Sequence, residues 1–203
     1  MCGFGGSIWQ LKRLINRLNR AGYDVTALDF SETVLSSGDP KLLPELVEEV
    51  VEFAETEAEK TKGPILLVGV SLDALISLNI IRRSNFDKAV LITGGDIVIV
   101  AKRLYGKQVW PQSFEELAAL WSAVNMYTKP EALAGKRLLF VLPANDKLID
   151  VSDVRHEVRR QAEAGNKLLL VERRPFGHVG TIILETVLFP GRTLGYIATL
   201  AKS

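Results

Sequence analysis

Residues Ile65 to Leu78 read ILLVGVSLDALISL, and the hydrophobic period changes in the middle of that stretch. Ile65 to Val68 are continuously apolar and strand-prone, the composition of a strand buried on both faces. From Ala74 onward, Leu75, Leu78 and Ile81 recur at helical spacing and form an apolar stripe. Ser71 therefore falls in a turn between a buried strand and a helix. That is where a strained, exposed nucleophile is expected.

Working outward, the rest of the chain alternates in the same way. Ile8 to Arg20 places Ile8, Leu11, Leu14, Ile15 and Leu18 on one helical face, and Ala21-Gly22 follows as a stop. Asp24 to Phe30 (DVTALDF) reads as a strand, and Ser31 to Pro40 as a loop of small and polar residues. Leu42 to Lys60 carries Leu43, Leu46, Val47, Val50, Val51 and Ala54 on one face, with glutamates opposite. Strands are expected at Pro64 to Val68, Lys88 to Thr93, Lys136 to Leu142 and Lys167 to Glu172, and a helix at Val151 to Ala164. A last helix is expected between Thr181 and Ala201, interrupted near Pro190-Gly191. The alternation predicts an α/β fold, a mostly parallel open sheet of about five strands with helices on both faces.

Composition narrows the function. The 203 residues suffice for one α/β domain with a sizeable core. A net charge of +1 provides no long-range attraction to nucleic acid or to an anionic membrane, so neither is an expected partner. No apolar run reaches the length of a membrane span. The start MCGFGGSIW lacks the basic and apolar regions of a secretory signal, which makes the cytoplasm the expected location. One cysteine and two histidines argue against a disulfide framework and against a metal centre.

In an open α/β sheet, ligands meet the carboxyl ends of the strands. Three reactive side chains follow predicted strands directly. Ser71 follows Ile65 to Val68; Asp146 follows KRLLFVL in the loop Pro143-Ala144-Asn145-Asp146; His178 follows KLLLVE in the loop from Arg173. A serine hydroxyl needs a base to take its proton, and the base needs a carboxylate to fix its tautomer. His156 sits mid-helix among Arg155, Glu157 and Arg159, a solvated setting, which leaves His178 as the base. Asp150 competes with Asp146 for the carboxylate role, but Asp146 lies nearer the strand end and is favoured, while Asp150 or Asp153 could instead cap the helix that follows.

On these residues the chain resembles the α/β-hydrolase family over essentially its whole length. The family's elbow Gly-x-Ser-x-Gly appears as Gly69-Val70-Ser71-Leu72-Asp73, and its His-Gly-x-Gly oxyanion loop as Cys2-Gly3-Phe4-Gly5-Gly6-Ser7. Asp146 and His178 match the family's aspartate after the penultimate strand and histidine after the last. The resemblance implies Ser71 as nucleophile, His178 as general base, Asp146 as its orienter, and the N–H groups of Leu72 and Phe4 as oxyanion donors. It implies no cofactor and no metal. The implied activity is a carboxylesterase- or thioesterase-like serine hydrolase acting on a small-molecule acyl substrate. An acyltransferase would use the same residues, and a catalytically weak or inactive binding protein on the same scaffold is the other alternative.

Two departures from the family pattern stand out. The elbow's last glycine is Asp73, which places a carboxyl group near Ser71, opposed to a developing oxyanion but favourable at a helix N-terminus. In the family a central strand precedes the oxyanion loop, with two further strands before it. Met1 stands immediately before Cys2 here, so either the chain is truncated, or its start is assigned downstream of the true one, or a reduced sheet has closed up; if the chain folds alone, Val25 to Leu28 are expected to pair directly with Ile65 to Val68, whereas an empty slot there would favour a truncated chain. Residues 94–135 lie where the family inserts a cap or lid. There Trp110, Trp121 and Tyr127 are candidates to line an apolar substrate pocket, or else to pack the cap on the core.

Overall fold

The computed structural model describes residues 8–28, 39–105 and 112–202. Its elements in chain order are α1 (Ile8–Arg20), α2 (Leu42–Lys60), β1 (Leu67–Val70), α3 (Leu72–Arg83), β2 (Lys88–Ile92), α4 (Ile97–Tyr105) and α5 (Phe114–Ser122). After two 3₁₀ turns at Met126–Thr128 and Pro130–Leu133 come β3 (Arg137–Pro143), α6 (Val151–Glu163), β4 (Lys167–Arg173), α7 (His178–Ile183), a π turn at Leu184–Leu188 and α8 (Pro190–Lys202). The strands form one parallel sheet in the order β1-β2-β3-β4. Among the described residues no helix is long and apolar enough to cross a membrane.

Strand alternation explains the layers. Successive side chains of a strand point to opposite faces, so an uninterrupted apolar run must bury both. Val90, Ile92, Leu139 and Val141 face Leu11, Leu14 and Leu18 of α1 and Ile197 and Leu200 of α8. Ala89, Leu91, Leu138, Phe140 and Leu142 face the larger core built from α2 to α6. In α2 the buried set is Leu43, Val47, Val50, Val51 and Ala54, the helical stripe read from the sequence. Each fully buried leucine or isoleucine in these layers contributes on the order of 1.5–3 kcal/mol over an exposed one.

The expected strand near Ile65 begins slightly later, at Leu67, and runs through Gly69 to Val70. The other three strands and the helix at Val151 lie where the periodicity puts them. The C-terminal helix is broken as anticipated: α7 widens into the π turn, Phe189 departs from helical geometry, and Pro190 opens α8.

One expectation is corrected. Of the strand expected at Asp24 to Phe30, residues 24–28 join no strand, and Asp29 and Phe30 lie outside the described residues. Val25 to Leu28 do not pair with Ile65 to Val68, so among the described residues the sheet has four strands. A cleft of about 280 Å³ separates the two segments. The turn after α1 sets that spacing. Gly22 at φ +88 and the bond from Tyr23 N–H to Leu18 C=O tie residues 23–28 to α1, beyond the ~4.8 Å reach of a β ladder.

The 94–135 segment packs into the larger core through Leu117, Trp121, Met126, Tyr127 and Leu133. Trp121 donates its indole N–H to the carbonyl of Pro40 at 2.9 Å. Tyr127 meets Phe140 edge to face, with centroids 6.2 Å apart. Both aromatic side chains are 1% exposed and pack this segment on the core, the second of the two roles expected for them. Their apolar area is spent on the core. Trp110 lies outside the described residues.

Candidate active site

Ser71 occupies the junction of β1 and α3 with φ 58 and ψ −117, left-handed geometry that a side chain adopts only under strain of about 1–3 kcal/mol. Two backbone hydrogen bonds hold it there. Its N–H donates to the carbonyl of Ile92 at 2.8 Å, and its carbonyl accepts from Ala74 N–H at 3.0 Å. Two residues earlier the chain needs glycine: a Cβ on Gly69 would stand 2.4 Å from the carbonyl oxygen of Asp73 and 2.6 Å from Ser77 Oγ. The start of α3 thus closes tightly over β1 and lifts the hydroxyl of Ser71 above the sheet edge. Asp73, in the first turn of α3, is fully buried.

The loops after β3 and β4 are fastened to each other. Ala144 N–H donates to Arg173 C=O at 2.9 Å, and Asn145 Nδ2 donates to Pro175 C=O at 2.8 Å. A Cβ on Gly177 would come within 3.1 Å of the Asn145 carbonyl, so the close approach of the two loops favours glycine. His178 then begins α7. Its Nδ1 lies 2.7 Å from Asp146 Oδ2, and its Nε2 lies 2.9 Å from Ser71 Oγ. The structure brings Ser71, His178 and Asp146 into one hydrogen-bonded chain across three strand ends.

Electrostatics assigns the protons. Burial works to raise the pKa of Asp146, but the hydrogen bond and charge of His178 and the amides of Ile149 and Leu148 outweigh it, and the net shift is downward. Those amides donate to Asp146 Oδ1 at 3.0 and 2.7 Å. An ionised carboxylate only accepts, so Nδ1 of His178 carries the hydrogen toward Asp146. In the neutral imidazole Nε2 is then the acceptor and the Ser71 hydroxyl donates to it. The carboxylate of Asp146 is fully buried and the imidazole is 16% exposed, which leaves Ser71 and one face of His178 as the accessible end.

The other candidates go elsewhere. Asp150 caps α6, accepting from Ser152 N–H at 2.8 Å, and Asp153 pairs with Arg103 at 3.1 Å. His156 is solvent-exposed on α6. Leu72 is the first residue of α3, where an amide has no acceptor within the helix. Phe4, the second expected donor, lies outside the described residues. Among the described residues no three His, Cys, Asp or Glu side chains gather as a metal site. Sequence reasoning missed Asn145 and Gly177, although each directly precedes a singled-out residue, Asp146 and His178. Their pairing is visible only once the two loops are side by side.

Neither a protein-family model nor a curated protein matches this chain. Solved structures do. An esterase from Pyrococcus furiosus superposes with a TM-score of 0.67 at 20% identity, over 100% of this chain and 79% of its own. The Thermus thermophilus protein TT1662 gives 0.68 at 17% identity, covering 100% and 87%. A Xanthomonas campestris pv. campestris protein assigned to the α/β hydrolase superfamily gives 0.61 at 18%, covering 95% of each chain. The chain has the α/β-hydrolase fold. Within that fold the carboxyl edge of the sheet is the ligand-facing side, and the three hydrogen-bonded residues stand there.

Proposed function

We propose that this α/β-hydrolase-fold protein is a serine hydrolase that cleaves esters or thioesters of small to medium acyl groups through an acyl-serine intermediate. The observation that carries the reading is the continuous chain from Ser71 Oγ through His178 to the buried carboxylate of Asp146. The similarity to the Pyrococcus furiosus esterase supports the choice of ester chemistry.

In this reading His178 Nε2 takes the hydroxyl proton as Ser71 Oγ bonds to the acyl carbon. The Leu72 amide, at the positive end of α3, stabilises the oxygen as it gains charge, and the Phe4 amide is the proposed second donor. Asp146 holds the imidazole in its productive tautomer and stabilises the imidazolium that forms. The imidazolium returns its proton to the departing alcohol or thiol. A water, deprotonated by the same nitrogen, then releases the acid and restores Ser71. The strained backbone of Ser71 keeps the hydroxyl fixed ahead of the reaction, so little reorganisation is left for the transition state.

The test is covalent. A fluorophosphonate probe should label the purified chain stoichiometrically, and the Ser71→Ala variant should take no label. Labelling that persists in the variant overturns the assignment of Ser71.

A further inference from the structure

At the far end of α7 from His178, the chain buries a carboxyl group that the proposed chemistry does not use. Glu185 lies in the π turn, is fully buried, and accepts a hydrogen bond from Nε of Arg173. A buried carboxylate is costly unless it is paired. Arg173 is the last residue of β4, so the pair joins the strand end before His178 to the turn that follows α7. Residues 173–185 are thereby closed into a loop, with His178 inside it. π turns are rare and concentrate at functional sites.

Both ends of that loop are anchored elsewhere. The carbonyl of Arg173 accepts from Ala144 N–H at 2.9 Å, in the loop that carries Asp146. Its guanidinium carbon stands 5.6 Å from the ring centroid of Tyr196 on α8. The carbonyl of Glu185 accepts from Thr193 Oγ1 at 3.0 Å, also on α8. That helix packs on the sheet through Ile197 and Leu200. A single guanidinium–carboxylate contact thus ties the histidine segment to a packed layer and, through the backbone of Arg173, to the aspartate loop.

Stability does not account for such a pair. Desolvating two charges offsets most of their attraction, and apolar residues of similar volume fill a buried site as well or better. What apolar contact lacks is direction: a guanidinium N–H fixes angle and distance, whereas packed methylenes slide. Direction matters here, because His178 must meet Ser71 Oγ at 2.9 Å and Asp146 Oδ2 at 2.7 Å at once. We propose that the buried Arg173–Glu185 pair is a positioning clasp for His178, holding α7 where both ring nitrogens reach their partners. The two residues act through the imidazole and are not themselves catalytic. Their effect on turnover rests on the serine-hydrolase reading; their effect on the imidazole does not.

The experiment replaces both partners of the full chain together, because removing one leaves the other as an uncompensated buried charge and confounds folding with function. The double variant Arg173→Met with Glu185→Leu should unfold at a urea midpoint no lower than the parent's. Its kcat for a chromogenic ester should fall about 10²-fold with KM within about threefold, the signature of a displaced catalytic group. The downfield proton resonance of His178 Nδ1–H, assigned by its absence in His178→Ala, should be sharp in the parent and broadened or lost in the double variant. Glu185→Gln keeps the volume and an acceptor oxygen for Arg173, and should retain that resonance and a kcat within about tenfold of the parent. The control is Arg155→Met with Glu172→Leu, which removes the two-bond pair joining α6 to β4 outside residues 173–185 and should leave kcat within about twofold. A double variant that keeps the resonance and the kcat would reduce Arg173–Glu185 to an ordinary ion pair and overturn the proposal. So would a double variant that unfolds well before the parent, a Glu185→Gln variant as impaired as the double one, an equal loss in the control, or a parent without the resonance. The resonance needs no turnover. A parent that shows it yet takes no fluorophosphonate would sink the hydrolase reading and leave the clasp standing.

Discussion

The two borders of β1 could hardly differ more. At its carboxyl end, the polar atoms of Ser71, His178 and Asp146 meet within 2.9 Å. The loops that carry them are cross-tied through Asn145. Along its outer side, a few residues away, the backbone of Val68 and Val70 faces a cavity. Both borders belong to the same strand and the same apolar layers. The contrast shows that a sheet's end and its edge are stabilised by different means. The end is completed by short loops that bond to each other, whereas the edge needs a neighbour along its length. The carboxyl-end arrangement is tied by the bond from Ser71 N–H to Ile92 C=O of β2 and by the loops after β3 and β4, none of which lines the cleft. The site is therefore assembled although β1 has no strand partner on its far side among the described residues.

The largest expected effect breaks the ordered end. His178→Ala removes the proposed base and should lower kcat for an activated ester by about 10⁵–10⁶-fold. Asp146→Asn leaves the geometry in place but destroys the tautomer preference, and should cost about 10⁴-fold. Both variants should keep the far-ultraviolet dichroism of the parent. Steady-state rates with a chromogenic ester make the comparison. A His178→Ala variant within tenfold of the parent would detach the hydrogen-bonded chain from turnover.

That ordered end was legible in the sequence because each of its residues directly follows an apolar run. Ser71, Asp146 and His178 could be placed at strand ends from periodicity alone, and the choice of Asp146 over Asp150 followed from proximity to the strand. The structure adds a reason: the side chain of Asp150 is occupied by Ser152. The cleft was not legible. DVTALDF has the composition of a strand, but pairing is decided by where α1 and its turn at Gly22 deliver the chain, and no local pattern encodes that lateral distance. The roles of Trp121 and Tyr127 were equally hidden. An aromatic residue reads the same in sequence whether it lines a pocket or fills a core, and only the contacts with Pro40 and Phe140 separate the two.

The second expected effect compares the closed core with the open edge through one residue type. Phe140 is 1% exposed at the centre of β3, and truncating it to alanine leaves a cavity that its neighbours on two strands cannot fill. Phe140→Ala should destabilise the fold by about 3–5 kcal/mol. Phe53 is 40% exposed on α2 beside the cleft, where its ring already borders empty space. Phe53→Ala should cost less than about 1 kcal/mol. Urea denaturation with a common m-value measures both. Similar losses at the two positions would mean that the cleft is as tightly packed in solution as the core, and the distinction between the borders would fail.

The smallest expected effect sharpens the assignment of the two aspartates at the carboxyl end. Asp150 accepts from Ser152 N–H and Oγ at 2.8 and 2.6 Å and so caps α6, with no contact to His178. Asp150→Ala should cost about 1 kcal/mol of stability at neutral pH and leave ester hydrolysis within twofold of the parent. The sign of its pH dependence follows from its titration. The Ser152 side chain, then the Ser152 amide, lower the pKa of Asp150 below its usual value. A carboxyl group depressed in the folded state contributes stability above its unfolded pKa of about 3.9, and that contribution is lost as pH falls through the folded value. The gap between parent and Asp150→Ala should therefore be constant from pH 7 down to about pH 5 and close in acid below the unfolded value. Asp150 is half exposed, so solvent screening keeps the whole effect small. Thermal melts across that range measure it. A gap that widens toward acid would reverse the assigned cap, and a large loss of hydrolysis in Asp150→Ala would return this residue to the contest with Asp146.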